Sequence, residues 1–132
     1  MFIVKEKKRV KISQMKSFAV AFQGIWTLIR NERNFRFHLL VAVAVITAGF
    51  FFNVEKTEWL TIFLCIGLVL SMETLNTSIE YICDLISPEH HPVVKKIKDV
   101  SAAAVLLVSI IAVIVGCIIF IPYLLDFFIS QS

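Results

Sequence analysis

Three stretches of the chain lose their polar residues almost completely. Val100 to Ile121 is 22 residues without a charge, long enough as a helix to cross the apolar part of a bilayer at about 1.5 Å per residue. Trp59 to Leu70 is also uncharged. A helix from Glu58 to Asp84 would be about 40 Å long, apolar in its first half and polar-striped in its second. Leu39 to Phe52 is shorter: 14 apolar residues reach only about 21 Å. Phe35, Phe37 and the stems of Arg36 and His38 extend it, their polar heads reaching the interface. The expected spans are therefore 35–53, 58–86 and 99–122. Ahead of them, Met15, Phe18, Ala19, Phe22, Ile25, Trp26 and Ile29 recur at helical spacing, while Lys16, Gln23, Thr27 and Arg30 take other faces. This pattern predicts an amphipathic surface helix over 13–31, lying in the headgroup plane. It does not read as a signal peptide, because the first long apolar run starts near residue 39 rather than directly after the basic residues. The fold expected is an all-α membrane protein with a surface helix and three transmembrane helices.

Composition agrees. The chain has 132 residues, 58% of them hydrophobic, twelve Phe and a mean hydropathy of +0.85, where soluble domains sit near about 45–50% apolar. Four Gly and three Pro leave little room for turns. Cys65, Cys83 and Cys117 are scattered through apolar helices without metal-ligand pairing, so neither a disulfide framework nor a zinc site follows. The short link Asn53–Glu58 makes the first two spans an antiparallel hairpin. The link Ser87–Asp99 is longer, polar and broken by Pro88 and Pro92.

Charge gives an orientation. Of 13 Lys and Arg, nine precede the apolar run that starts at Leu39 and Lys95, Lys96 and Lys98 lie in the second link, leaving only Lys56 on the opposite side. This bias places the N-terminus and the Ser87–Asp99 loop in the cytoplasm and the C-terminus outside. The net charge of +3 reflects that distribution, and no motif for reading nucleic acid accompanies it.

Glu73, Asn76, Glu80 and Asp84 follow one another at three, four and four residues, one stripe of the second span. Ionisable groups inside a bilayer cost roughly 3 kcal/mol or more at a helix centre, so this stripe faces protein, cations or a polar cavity rather than lipid. Glu32 stands where the surface helix meets the first span, and Lys98 and Asp99 at the start of the third. All three spans thus bring charge to one zone. Carboxylates beside a phosphate need a metal between them, and oxygen ligands suit Mg2+, which keeps waters and phosphate oxygens as its other ligands. Glu73 lies about 10 Å deeper than Glu80, where a membrane-dissolved alcohol reaches it. A carboxylate there can accept the alcohol's proton as a phosphoryl group is transferred. No Walker A sequence or GxGxxG loop is present. A different class of function, a small ion- or proton-translocating membrane subunit, also uses intramembrane carboxylates. It would need polar residues through the other leaflet, yet Leu60 to Met72 carries only Thr61 and Ser71, and the third span only Ser101 and Ser109. A noncatalytic assembly subunit would leave the stripe unexplained.

Glu73-Thr-Leu-Asn-Thr-Ser-Ile-Glu80, then Asp84 and Lys98-Asp-Val-Ser-Ala-Ala-Ala104, resembles the signature of the small bacterial diacylglycerol kinases. Asn31-Glu32 and Phe35-Arg36 match that family's upstream motif, and the resemblance covers about residues 14 to 122. It implies a single membrane-embedded kinase domain over 1–132, homotrimeric, with active sites shared between subunits, using Mg2+ and ATP as phosphoryl donor. By motif position it implies Glu73 as general base and Glu32 and Glu80 as ligands of Mg2+. Glu32, Asn76, Glu80, Asp84, Lys98 and Asp99 would form the ATP-binding surface, with Glu89 and His91 at nucleotide-contacting loop positions. His90 is adjacent and could substitute for His91. Gram-negative members read F-R-Q-E where this chain has Phe35-Arg36-Phe37-His38. The run Asn31 to His38 is similar to the Gram-positive, undecaprenol kinase branch. Replacing Gln and Glu by Phe and His removes hydrogen-bonding capacity, which suits a plain polyprenol better than a glycerol headgroup with ester carbonyls. The lipid-contacting residues are then Glu73, Asn34, Phe37 and His38. The function expected is phosphorylation of undecaprenol to undecaprenyl phosphate, with diacylglycerol as the alternative substrate. Lys95 and Lys96 read as positive-inside anchors, and Trp26 and Trp59 as interfacial belt residues.

Overall fold

A computed structural model describes residues 14–131. It contains four helices: α1 (Gln14–Asn31), α2 (Arg33–Phe52), α3 (Lys56–Ile86) and α4 (Pro92–Ile129). The all-helical expectation is borne out, and α2, α3 and α4 are each long and apolar enough to cross a membrane. Residue 13 of the expected surface helix, and the basic residues Lys5 to Lys11, lie outside the described residues.

The helix boundaries have local causes. Between α1 and α2 a single residue, Glu32, turns extended (φ −102°, ψ 113°). Arg36 then folds back, its guanidinium donating to the carbonyls of Ile29 (3.2 Å) and Arg30 (2.9 Å). These are among the last carbonyls of α1, which have no intrahelical donor of their own. The sequence reading extended Arg36 towards the interface as a snorkelling stem, whereas its head caps the preceding helix. In α1 the side chain of Leu28 is buried, while Met15, Phe18, Phe22 and Trp26 are exposed. The apolar face of this helix is therefore not consumed by packing on the bundle.

Two links are shorter than the sequence suggested. α2 ends at Asn53 in the left-handed region (φ 52°, ψ 52°), a conformation that asparagine tolerates as a helix terminator. α3 starts at Lys56 because Glu55 and Glu58 form a reciprocal capping box, with the Glu55 N–H donating to Glu58 Oε2 at 2.9 Å. Pro92 does not break the second link. It opens α4 at the first helical turn, where its missing N–H costs no bond, so the link is Ser87–His91 and Lys95 to Asp99 are helical. The His91 ring caps this helix, Nδ1 accepting from Val93 N–H at 3.2 Å. At its other end α4 runs on through Pro122 to Ile129, beyond the expected end of the span.

The packing follows a seven-residue repeat. Buried positions are Phe35, Ala42 and Gly49 in α2, and Ile62, Val69, Asn76 and Cys83 in α3, together with Glu73 and Thr77. In α4, Val105 and Ile119 are buried and Ala112 between them is half-buried. This is the periodicity of left-handed bundle packing. Two polar contacts mark the α3–α4 register: Tyr123 donates to Glu58 Oε2 at 2.6 Å at one end, and the exposed Lys98–Asp84 pair falls on the same register at the other. On that antiparallel register Ile62 lies level with Ile119, Val69 with Ala112, Asn76 with Val105 and Glu80 with Ser101. The α2–α3 hairpin closes on Gly49, whose missing side chain admits the Trp59 ring. Val54, Ile62 and Ile119 form the core beside it.

Little of the apolar surface is covered. Within the most apolar window of each helix only 17%, 28% and 11% of residues are buried, for α2, α3 and α4 respectively. Surfaces such as Leu106, Leu107, Val113 and Ile118 stay exposed. Contiguous apolar exposure on this scale marks surfaces for lipid or for other protein.

Candidate active site

At the Asp84–Lys98 end of the bundle the apolar seam turns polar. Glu73 is 3% exposed and Asn76 5%, because both occupy the face of α3 that the neighbouring helices cover. Thr77 joins them at 2% and was not singled out from the sequence. Ser101 of α4, also buried, stands opposite Glu80 on the α3–α4 register. Asn76 Nδ2 donates to Glu80 Oε1 at 3.2 Å, while its own Oδ1 is buried without a hydrogen-bond partner among the described residues. A buried carboxylate without compensation is costly. Glu73 feels the charges of His38 on α2, of Glu80 on its own helix, and of Glu32 at the α1–α2 junction.

Glu32 and Glu80 belong to one neighbourhood. The Tyr81 hydroxyl donates to Glu32 Oε1, and both Glu32 and Glu80 act electrostatically on that phenol. Tyr81 was missed in the sequence because it falls outside the polar stripe. Its only signal was an aromatic ring with a polar tip directly after Glu80. Among the described residues no cluster of three or more His, Cys, Asp or Glu side chains is arranged to hold a metal by itself. Two carboxylates, Glu32 and Glu80, are the donor type that suits a hard cation bringing phosphate oxygens and waters with it. They fit a closed structural metal site less well.

The other candidates divide. Asp84 is exposed and paired with Lys98, and Asp99 is paired with Lys95 one turn earlier. Lys95 thus has a partner beyond its expected anchoring role. Glu89, His90 and His91 are exposed in the short Ser87–His91 link, with His91 Nδ1 engaged in capping. Asn34 is exposed near the start of α2 and stands apart from the groove described next. Phe37 and His38, in edge-to-face contact at 5.7 Å between ring centres, line one end of an apolar groove of about 150 Å³ between α2, α3 and α4. Val69, Leu70, Ala112 and Gly116 continue it. The groove leads away from the carboxylates into the apolar body of the bundle, where Ser109 contributes a buried hydroxyl without a partner among the described residues.

Fold and site together define an integral membrane protein with three spanning helices, a charged rim at the Asp84–Lys98 end and a buried carboxylate below it. Residues 19–120 match the family model described as prokaryotic diacylglycerol kinase, and the chain belongs to that family of lipid kinases. It is 48% identical to the undecaprenol kinase of Bacillus subtilis over 109 residues, covering 83% of this chain and 89% of that one. It is 40% identical to the diacylglycerol kinase of Synechocystis over 111 residues, which is 83% of this chain and 63% of that longer protein. With the diacylglycerol kinase of Escherichia coli K12 the identity is 29% over 104 residues, 79% of this chain and 85% of the other. The resemblance read from the Glu73–Glu80 motif is thereby borne out at the level of family and activity class.

Proposed function

We propose that this chain is an undecaprenol kinase of the cell membrane, transferring the γ-phosphoryl group of ATP to the hydroxyl of a membrane-dissolved polyprenol. The observation that carries the reading is Glu73: a carboxylate 3% exposed, below a charged end and close to an apolar groove. The lipid hydroxyl approaches from the groove past Phe37 and His38, and Glu73 accepts its proton. The lipid oxygen bonds to the γ-phosphorus as the bond from phosphorus to the bridging oxygen breaks, leaving ADP. Glu32 and Glu80 are the residues suited to hold Mg2+, which when bound neutralises charge on the nucleotide phosphates. Asn76 holds Glu80 in place through its amide, and Lys98 and Asp84 stand where the phosphates enter. Asp99, Glu89 and His91 would complete the nucleotide surface, and Asn34, which does not line the groove, would meet the lipid only outside it.

The polyprenol assignment draws on two supports. The B. subtilis relative, 48% identical, carries the undecaprenol name. The groove mouth presents the Phe37 ring, which has no N–H or O–H to offer an ester carbonyl. Along the sequence twelve of the 13 basic residues either precede Leu39 or lie between Ser87 and Asp99, a bias that supports a cytoplasmic site, where ATP is available. A homotrimer with shared sites is consistent with the uncovered apolar surfaces of α2 to α4. The test is purified chain in detergent with Mg·ATP and equimolar undecaprenol and diacylglycerol, both products read by mass spectrometry. Undecaprenyl phosphate in excess is the expected result. Phosphatidic acid in excess would keep the kinase and move the substrate to diacylglycerol, the activity named for the Synechocystis and E. coli relatives. Absence of any phospholipid product would favour the translocating subunit.

A further inference from the structure

We infer that Tyr81 is a positioning residue for the nucleotide-borne cation, acting through Glu32. The inference rests on the reading of Glu32 as a Mg2+ ligand and adds a residue that the stripe Glu73, Asn76, Glu80 and Asp84 does not contain.

Glu32 is an awkward place for a metal ligand. It is the single extended residue between α1 and α2, and its carboxylate makes no capping hydrogen bond to the helix it precedes. The backbone around it is secured by Arg36, which ties α2 back to the end of α1. Nothing in those bonds fixes the carboxylate itself. Left alone, a Glu side chain at a helix junction samples many rotamers, and a ligand that must be ordered on binding loses affinity by the entropy of that ordering. Tyr81 removes this freedom. Its ring rises from α3 directly after Glu80, and its hydroxyl donates to Glu32 Oε1 across 49 residues of sequence. One oxygen is held, and Oε2 would be the atom available to a cation. Because Tyr81 and Glu80 are consecutive on one helix, the bond also ties Glu32 to the turn of α3 that carries Glu80. It thereby couples the α1–α2 junction to α3.

Hydrogen-bond partners of metal-bound carboxylates typically matter by about 10–100-fold in metal affinity. Tyr81→Phe keeps the ring and deletes only the hydroxyl, so the expected loss is about tenfold. The measurement is binding of Mn2+ together with a non-hydrolysable ATP analogue to the full chain in detergent, read as loss of the free Mn2+ electron-spin-resonance signal. Wild type, Tyr81→Phe, Glu32→Gln and the double variant are compared. Tyr81→Phe should weaken binding about tenfold, Glu32→Gln at least as much, and the double variant no more than Glu32→Gln alone. In turnover, Tyr81→Phe should raise the apparent KM for Mg·ATP while kcat at saturation changes less than about twofold, a split that general loosening of the bundle would not produce. Wild-type binding by Tyr81→Phe alongside weakened binding by Glu32→Gln would overturn the inference and leave Glu32 as a ligand. A further loss in the double variant would also overturn it, since Tyr81 would then act independently of Glu32. Wild-type binding by Glu32→Gln would remove the metal assignment itself, and the inference with it.

Discussion

Replacing Glu73 by Gln separates a proton acceptor from its scaffold. The two side chains have nearly the same shape, and the site is 3% exposed, so the change deletes one negative charge without opening a cavity. Glu73 is not one of the residues suited to hold the cation, and Glu80, which is, stays held by Asn76 Nδ2 at 3.2 Å. Nucleotide binding should therefore persist. A positioned general base contributes about 10²–10⁴-fold to a proton-transfer step, which is about 3–5 kcal/mol of activation free energy. The expectation is a fall in kcat of that size with an apparent KM for Mg·ATP within about threefold of wild type. The thermal midpoint should be unchanged or raised, because a buried charge has been neutralised. The assay is initial-rate formation of undecaprenyl phosphate in mixed micelles across ATP concentrations, beside a melting curve on the same preparation. A kcat within about threefold of wild type would refute Glu73 as the base. A fall in kcat together with collapse of nucleotide binding would assign Glu73 to the cation site instead.

Gly49→Ala would place a methyl 2.7 Å from the Trp59 ring. Overpacking costs about 1–3 kcal/mol against a helix-propensity gain of about 1, so the melting temperature should fall, and a smaller side chain at Trp59 in the same background should restore part of it. Asn53→Val should destabilise the hairpin by about 1–2 kcal/mol, because a β-branched residue resists the left-handed backbone there, whereas Asn53→Gly should be near neutral in the same unfolding experiment. Glu80→Ala should raise the apparent KM for Mg·ATP and reduce its dependence on Mg2+ concentration. An unaltered nucleotide affinity would exclude Glu80 from the cation site.

The legible part of this protein is whatever repeats along a helix. The apolar runs identified three spans, and the spacing of Glu73, Asn76, Glu80 and Asp84 identified their common side. The seven-residue seam of Phe35, Ala42 and Gly49, and of Ile62, Val69, Asn76 and Cys83, was written in the same periodicity but hidden by helices that are apolar on every side. Period alone cannot tell a packed Val69 from an exposed Leu68 when lipid accepts both. Nor does the stripe predict that Glu73 is covered while Asp84 is exposed, since that depends on where α2 and α4 stop shielding α3. Pro92 misled for a related reason: proline ends helices in their interior and begins them at their first turn, and the sequence does not say which applies. The Tyr81–Glu32 bond was beyond reach, because only the folded bundle brings those positions together.

The two ends of the α3–α4 pair are built for different tasks. At the Glu58–Tyr123 end, Glu58 is shared between the capping box and the tyrosine hydroxyl, Trp59 fills the space at Gly49, and Phe52 packs near Phe120 and Tyr123. Each group there satisfies several constraints, so the register is anchored at this end. At the other end the partners are simple and solvated: Lys98 with Asp84, and Lys95 with Asp99. Exposed ion pairs of this kind are weak and screened by salt. Losing the Lys98–Asp84 pair should therefore cost the fold little, and under the proposed function Lys98 would exchange Asp84 for a nucleotide phosphate while the anchored end keeps the register. On the proposed function, a rigid far end with exchangeable pairs at the opposite end would let a charged nucleotide enter and leave without reopening the membrane-embedded part of the bundle.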